Sequence, residues 1–330
     1  MASEPGEAGG PPHGTTPGKP PAGVPEAVRE GAREGVREGA ADASPAELSA
    51  PARVVARQRI RFAHASVGGA LDAGRVAAAQ PVERGWAWGG ATGRGVRVCV
   101  IDSGVDSSHP AIGGSAESYV AEPDTPAPGA RWDVVPDTAG DLAGHGTACA
   151  GIIRSLAPEC ELTSVRILGS GLRGSGEALV RALEWAVERR FAVVNVSLST
   201  RREEHKERLH DLADAAYFAG VTLVSAAHNS PVDSYPWRFP SVLSVGAHAE
   251  PDPEYVEANP DPPVDLFARG VAVEAPWPGG GKRVVSGNSF AAPHVTGLCA
   301  RILERHPRFR TPELRHVLTA TAGNLRRSQG

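Results

Sequence analysis

From about residue 95 the chain alternates short apolar runs with helical stretches, and that alternation leaves few folds open. Residues 95–102 run into Asp102-Ser103-Gly104, and residues 162–167, 193–198, 221–226 and 242–247 are runs of the same β-branched kind. Each is short, apolar throughout and closed by turn residues, the mark of a strand covered on both faces. Between them, residues 177–189 place Leu179, Ala182, Leu183 and Ala186 on one helical face. Residues 203–219 read as a helix, as do 312–320 with Thr311 as N-cap and Pro312 in the first helical position. The pattern predicts an α/β fold, a parallel β-sheet flanked by helices on both faces. Residues 103–140 show no such pattern and are read as irregular loop.

The domain is placed at residues 85–322, with a short tail at 323–330. Residues 1–50 are rich in Gly, Pro, Ala and Glu and include a degenerate repeat with Gly at 31, 35 and 39. Glycine costs about 1 kcal/mol per helical position relative to alanine, and little here can fill a core, so the segment is expected to be disordered. Residues 51–84 carry Val54, Val55, Ile60, Phe62 and Leu71 and are expected to dock on the domain as an extension. With 34 basic and 38 acidic residues the formal charge is −4, which excludes a general attraction to nucleic acid or acidic membranes. No run approaches the roughly 18 apolar residues of a membrane span. The first residues lack a basic region and an apolar core, so no secretory leader is expected. Cys99, Cys149, Cys160 and Cys299 do not form a disulfide framework, and a cytosolic location is expected. Oligomeric state is left open.

Three stretches carry chemistry. Ser289 sits in Ser286-Gly287-Asn288-Ser289-Phe290-Ala291-Ala292-Pro293, a small-residue turn running into an apolar helix over 295–303. A hydroxyl at a helix N-terminus meets free N–H groups and the positive end of the dipole, which favour developing negative charge. Pro293 is expected near the first turn, where proline does least harm. Asp102 closes a strand, at the edge where parallel sheets build active sites. His145 is flanked by Gly144 and Gly146, which permit close approach of other backbone.

Asp102, His145 and Ser289 occur in the order that subtilisin uses, and the surrounding segments match as well. Val100-Ile101-Asp102-Ser103-Gly104, Gly144-His145-Gly146-Thr147 and Gly287-Asn288-Ser289-Phe290-Ala291-Ala292-Pro293-His294-Val295 resemble the three motifs of the subtilisin-like serine proteases, the subtilases, across about residues 85–322. Ser225-Ala226-Ala227-His228-Asn229 resembles their Ala-Ala-Gly-Asn segment, whose Asn donates to the oxyanion. The resemblance implies a three-layer subtilisin-like fold and a serine endopeptidase with Asp102, His145 and Ser289 as triad and Asn229 as oxyanion donor. It implies a peptide or protein substrate and chemistry without metal or cofactor. Gly174, Ser175 and Gly176 resemble the segment that pairs with extended substrate, and Ser197, Leu198 and Ser199 the opposite wall. Ser199 and Thr200 stand where the family usually has Gly-Gly, and Asn288 and Phe290 where it has Thr and Met.

Between Gly151 and Pro158 the chain lacks the longer loop that holds a calcium ion in secreted relatives, so that site is expected to be missing. Asp133, Asp137 and Asp141 are read as solvated carboxylates that steer basic substrates rather than as a cation site. Two rival classes are disfavoured. An inactive binding module predicts a lost triad member, and none is lost. A nucleotide-binding protein predicts Gly-x-Gly-x-x-Gly opening a helix after a strand, and the glycines at 169–176 do not fit. Within the protease reading, the altered pocket wall leans towards dedicated maturation of one peptide over general turnover.

Overall fold

The Asp102-bearing run lies at the centre of the sheet. In the computed structural model, which describes residues 82–325 except 115 and 128, β1 (Arg97–Asp102) pairs in parallel with β4 (Glu161–Arg166) and β5 (Val193–Val196). From β5 the parallel sheet continues through β6 (Thr222–Ala226), β7 (Leu243–His248) and β9 (Leu266–Arg269). On the other side β4 pairs with β2 (Ala116–Pro123), and antiparallel strands close both edges, β3 (Trp132–Pro136) and β8 (Val256–Ala258). The order among the described residues is β3-β2-β4-β1-β5-β6-β7-β9-β8. The expectations for residues 1–81 and 326–330 lie outside the described residues.

Strand alternation divides the core. Val98 and Val100 of β1 face a cluster with Trp88 of α1 (Arg84–Trp88) and with α2 (His145–Leu156) and α5 (Asn288–Arg305), which contribute Ile152, Ile153, Leu298 and Ile302. Cys99 and Ile101 face the opposite cluster, with Leu179 and Leu183 of α3 (Gly176–Glu188) and Leu209 and Leu212 of α4 (Lys206–Ala219). All of these side chains are buried, and each fully buried Leu or Ile contributes about 1.5–3 kcal/mol of transfer free energy. The three layers expected from the strand–helix alternation are present.

Two expectations need correction, and one hairpin was not expected. Residues 103–140 are not all loop, because they contain β2 and β3. Those strands sit at the sheet's edge, half exposed and flanked by Pro- and Gly-containing turns, so no continuous apolar run marks them. A hairpin of β10 (Val273–Trp277) and β11 (Gly281–Val285) likewise escaped the apolar-run criterion, since β11 is almost wholly exposed. Thr311 does not cap α6 (Thr311–Ala320). Its hydroxyl bonds Thr222 at 3.1 Å, and Glu313 instead accepts from the Arg310 N–H.

Candidate active site

Asp102 ends β1 and is fully buried, and its backbone runs into Ser103, whose N–H donates to Asp102 Oδ1 at 2.7 Å. His145 opens α2, and its Nδ1 lies 2.7 and 2.9 Å from the two Asp102 oxygens. The glycines flanking His145 make this approach possible. A Cβ on Gly146 would sit 2.0 Å from the Gly104 carbonyl, and one on Gly144 would sit 2.2 Å from the Trp277 ring. Burial by itself disfavours the imidazolium. The Asp102 carboxylate outweighs it, with Cys149 adding a further contribution, and holds the His145 pKa well above 6.5.

Asp141 fixes the start of α2. Its Oδ1 accepts from Ser103 Oγ (2.8 Å), Ala143 N (2.9 Å) and Gly144 N (2.7 Å), and its Oδ2 from Thr147 N (2.8 Å) and Thr147 Oγ1 (2.6 Å). It is therefore a capping carboxylate that joins the His145 turn to the end of β1, not a solvated loop charge. Asp141 lies three residues before the Gly144 N-cap, so the usual N-cap signal in sequence does not mark it. Asp137 also differs from the solvated reading, because it forms a bidentate pair with Arg166 at 2.7 and 3.0 Å. Burial opposes the charge on Asp137, but Arg166 and the Ala139 N–H keep its pKa below the usual value. Asp133 pairs with Arg131. Among the described residues, the one group of three potential metal ligands drawn together is Asp102, His145 and Cys149, all within 4.8 Å.

Ser289 is the second residue of α5, and Pro293 lies inside the helix rather than in its first turn. Proline has no N–H to give the carbonyl four residues back, which is that of Ser289. Other groups satisfy it. Ser197 Oγ donates to Ser289 O at 2.9 Å and Cys149 Sγ at 3.5 Å. Ser197 Oγ in turn accepts from Asn195 Nδ2 at 2.9 Å, and Asn195 Oδ1 accepts from Thr296 Oγ1 at 3.0 Å. Asn195 and Thr296 are fully buried, so a closed polar chain underlies the serine turn. Cys149 Sγ also lies 3.9 Å from His145 Nδ1, and the Phe290 ring is 5.0 Å from the His145 ring, so the Ser289 turn sits against His145. Burial raises the Cys149 pKa, which His145 only partly offsets, so the group stays a thiol at neutral pH. His294, also in the serine segment, is buried with its pKa pushed down to about 4, and its Nδ1 bonds Phe290 O at 2.9 Å. It is a neutral packing residue.

Asn229 follows β6 and is exposed. Its Oδ1 accepts the Asn288 N–H at 2.9 Å, which leaves the Nδ2 hydrogens as its available donors. A cavity of about 190 Å³ is bounded by Ser197, Leu198 and Ser199 on one side and residues 226–229 on the other, and Ser289 also lines it. The Ser197 hydroxyl is turned into the protein, as described above. Ser199 Oγ donates to Ser234 Oγ at 2.9 Å, and Trp237 Nε1 donates to the same oxygen at 2.8 Å. A second cavity, about 390 Å³, runs between residues 172–176 and 198–200. There Ser175 caps α3 by accepting from Glu177 N, and a Cβ on Gly176 would sit 2.1 Å from the His205 ring, so these two residues line the groove while serving the helix. Gly174 pairs with Leu168 in an isolated antiparallel bridge.

Fold and site together define a class, an α/β protein with an Asp–His pair at the end of one central strand and a serine at the start of a helix beside it. Residues 93–330 match the model of Peptidase S8, the subtilase family, and the chain belongs to that family. Subtilisin amylosacchariticus of Bacillus subtilis subsp. amylosacchariticus is 32% identical over 254 residues, covering 72% of this chain and 62% of that protein. The chain thus spans somewhat less than two thirds of that relative's length. The subtilisin of Bacillus pumilus is also 32% identical over 254 residues, covering 72% of this chain and 86% of that one. Among solved structures, that of a cold-adapted subtilisin-like serine proteinase superposes with a TM-score of 0.58 at 28% identity, over 69% of this chain and 82% of the other.

Proposed function

We propose that this subtilase is a serine endopeptidase that hydrolyses peptide bonds through an acyl-enzyme. The observation that carries this is the Asp102–His145 pair, at 2.7 Å, packed against the turn that presents Ser289 at a helix N-terminus. His145 Nε2 takes the proton from Ser289 Oγ as the oxygen attacks the scissile carbonyl. Asp102 holds the tautomer with Nδ1–H and stabilises the imidazolium. The developing oxyanion accepts from Asn229 Nδ2 and from the Ser289 N–H, neither of which bonds another described group. His145 then passes its proton to the leaving amine, and water resolves the ester by the same steps in reverse.

Extended substrate lies between residues 172–176 and 198–200, adding a strand to exposed backbone. The cavity of about 190 Å³ beside Ser289 takes the side chain of the residue that supplies the carbonyl, since the leaving amine must depart towards His145, which does not line that cavity. The bonded Ser199, Ser234 and Trp237 chain stiffens that pocket's surroundings and favours a narrow substrate range, the maturation of one precursor over general turnover. The four cysteines are free and buried, which supports a reducing, cytosolic setting. Labelling by a fluorophosphonate tests the mechanism. Wild type is expected to react and Ser289→Ala is not, and equal labelling of both would remove Ser289 as nucleophile.

A further inference from the structure

Asn288, the residue before Ser289, makes more polar contacts than any other group bordering the proposed oxyanion site. Its Oδ1 accepts the Ala247 N–H of β7 at 2.9 Å. Its Nδ2 donates to the carbonyls of Ala227 at 3.1 Å and His228 at 3.3 Å, the two residues that lead into Asn229. Its own N–H donates to Asn229 Oδ1 at 2.9 Å. The segment it grips is otherwise lightly held on the outer side, for Asn229 and Ser230 are exposed. Ala227 N donates to Val245 O at 2.9 Å, so the inner side is already tied to β7. Asn288 supplies the outer ties and links them to β7 and to the first turn of α5.

Two geometric consequences follow. The amide of Asn229 is fixed in orientation, because a backbone N–H occupies its oxygen and leaves the nitrogen facing outward as donor. The Ser289 N–H and the Asn229 Nδ2 are also spaced by one residue, since Asn288 is bonded to Ser289 through the chain and to the 227–229 segment through its side chain. A hydroxyl-bearing Thr at this position has one oxygen and cannot span the three backbone groups that the Asn288 amide reaches.

We propose that Asn288 is the positioning residue that sets the spacing of the two oxyanion donors, an assignment that rests on the oxyanion roles given above to Asn229 and Ser289. It acts through Asn229 and does not itself touch the reacting carbonyl. Loss of the side chain therefore slows the chemical step without weakening ground-state binding, and it matters only while Asn229 is present.

The test is a double-mutant cycle of Asn288→Ser and Asn229→Ala in the full chain, read as kcat and KM on a peptide substrate, as Ki for a peptide aldehyde whose adduct oxygen occupies the oxyanion site, and as melting temperature. Asn288→Thr gives the same readout should Asn288→Ser fail to fold. Asn288→Ser is expected to lower kcat about 10- to 100-fold, the scale of a misplacement near 1 Å, with KM within about twofold and the aldehyde Ki rising in step with the fall in kcat. In the Asn229→Ala background the same change is expected to lower kcat by less than about threefold. If the factor is equal in both backgrounds, or Asn288→Ser alone stays within about threefold of wild type while Asn229→Ala is slow, the positioning role is overturned and the oxyanion reading stands. If Asn229→Ala itself leaves turnover unchanged, the oxyanion reading fails and the positioning role falls with it.

Discussion

Replacing Ser197 by Ala tests the buried chain beneath the Ser289 turn. The hydroxyl accepts from Asn195 Nδ2 and donates to the Ser289 carbonyl, the one that Pro293 cannot serve. Ser197 is 4% exposed and Asn195 is 0% exposed, so neither bond is open to bulk water. The variant leaves Asn195 Nδ2 without an acceptor, which costs about 1–3 kcal/mol for an orphaned buried donor. It also leaves the Ser289 carbonyl with only the weak Cys149 thiol donor, a further loss of about 0.5–1.5 kcal/mol. The sum, roughly 2–4 kcal/mol, corresponds to a fall in Tm of about 4–16 °C in a domain of this size. Thermal unfolding followed by circular dichroism gives the first readout. The second is Asn195→Val combined with Ser197→Ala, in which both partners go and the Thr296 hydroxyl, which loses Asn195 Oδ1, keeps its bond to Ala292 O at 3.1 Å. The double variant is expected to be no less stable than Ser197→Ala alone, because replacing both partners of a buried bond is nearly neutral. A Tm within about 2 °C of wild type for Ser197→Ala, or additive losses in the double variant, would refute the chain's role.

Other outcomes follow from the same geometry. Asp102→Asn should leave the fold intact and lower kcat about 10⁴-fold by favouring the wrong tautomer of His145. The pH dependence has a definite sign: His145 must be neutral to accept the Ser289 proton, and its raised pKa means that kcat/KM falls as pH drops through a midpoint above 6.5. In Asp102→Asn that midpoint moves down, and an unmoved midpoint would show that another group controls the limb. Asp141→Ala removes the acceptor of five bonds at the start of α2 and should cost about 2–4 kcal/mol in urea unfolding, with a loss in kcat that Asp141→Asn partly restores. EGTA should leave Tm and activity unchanged. α2 runs unbroken to Leu156, and Asp137 and Asp141 are already taken by Arg166 and by the helix start. A calcium ion bound at 100 times its Kd would contribute about 2.7 kcal/mol, a plain fall in Tm on chelation.

The parts of this site that could be read from sequence are those set by short-range patterns. β1, β5 and β6 are apolar and closed by turns, so Asp102 and Asn229 could be placed at strand ends before any coordinates. The Ser289 turn declared itself by small residues before a helix. What escaped was long-range pairing. Nothing local tells that Ser197, 92 residues from Ser289, completes the carbonyl that Pro293 leaves open, or that Asn195 and Thr296, 101 residues apart, prolong the chain. Ser197 looks like a polar loop residue in sequence because the carbonyl it serves, that of Ser289, lies on another element. Pro293 shows how the two kinds of information meet. Proline within a helix costs about 3 kcal/mol or more when its carbonyl is left open. Here that carbonyl belongs to the proposed nucleophile, and buried donors from β5's end and α2 take it up. The carbonyl that the proline leaves open thus becomes an attachment between α5, α2 and the sheet at the residue proposed to attack.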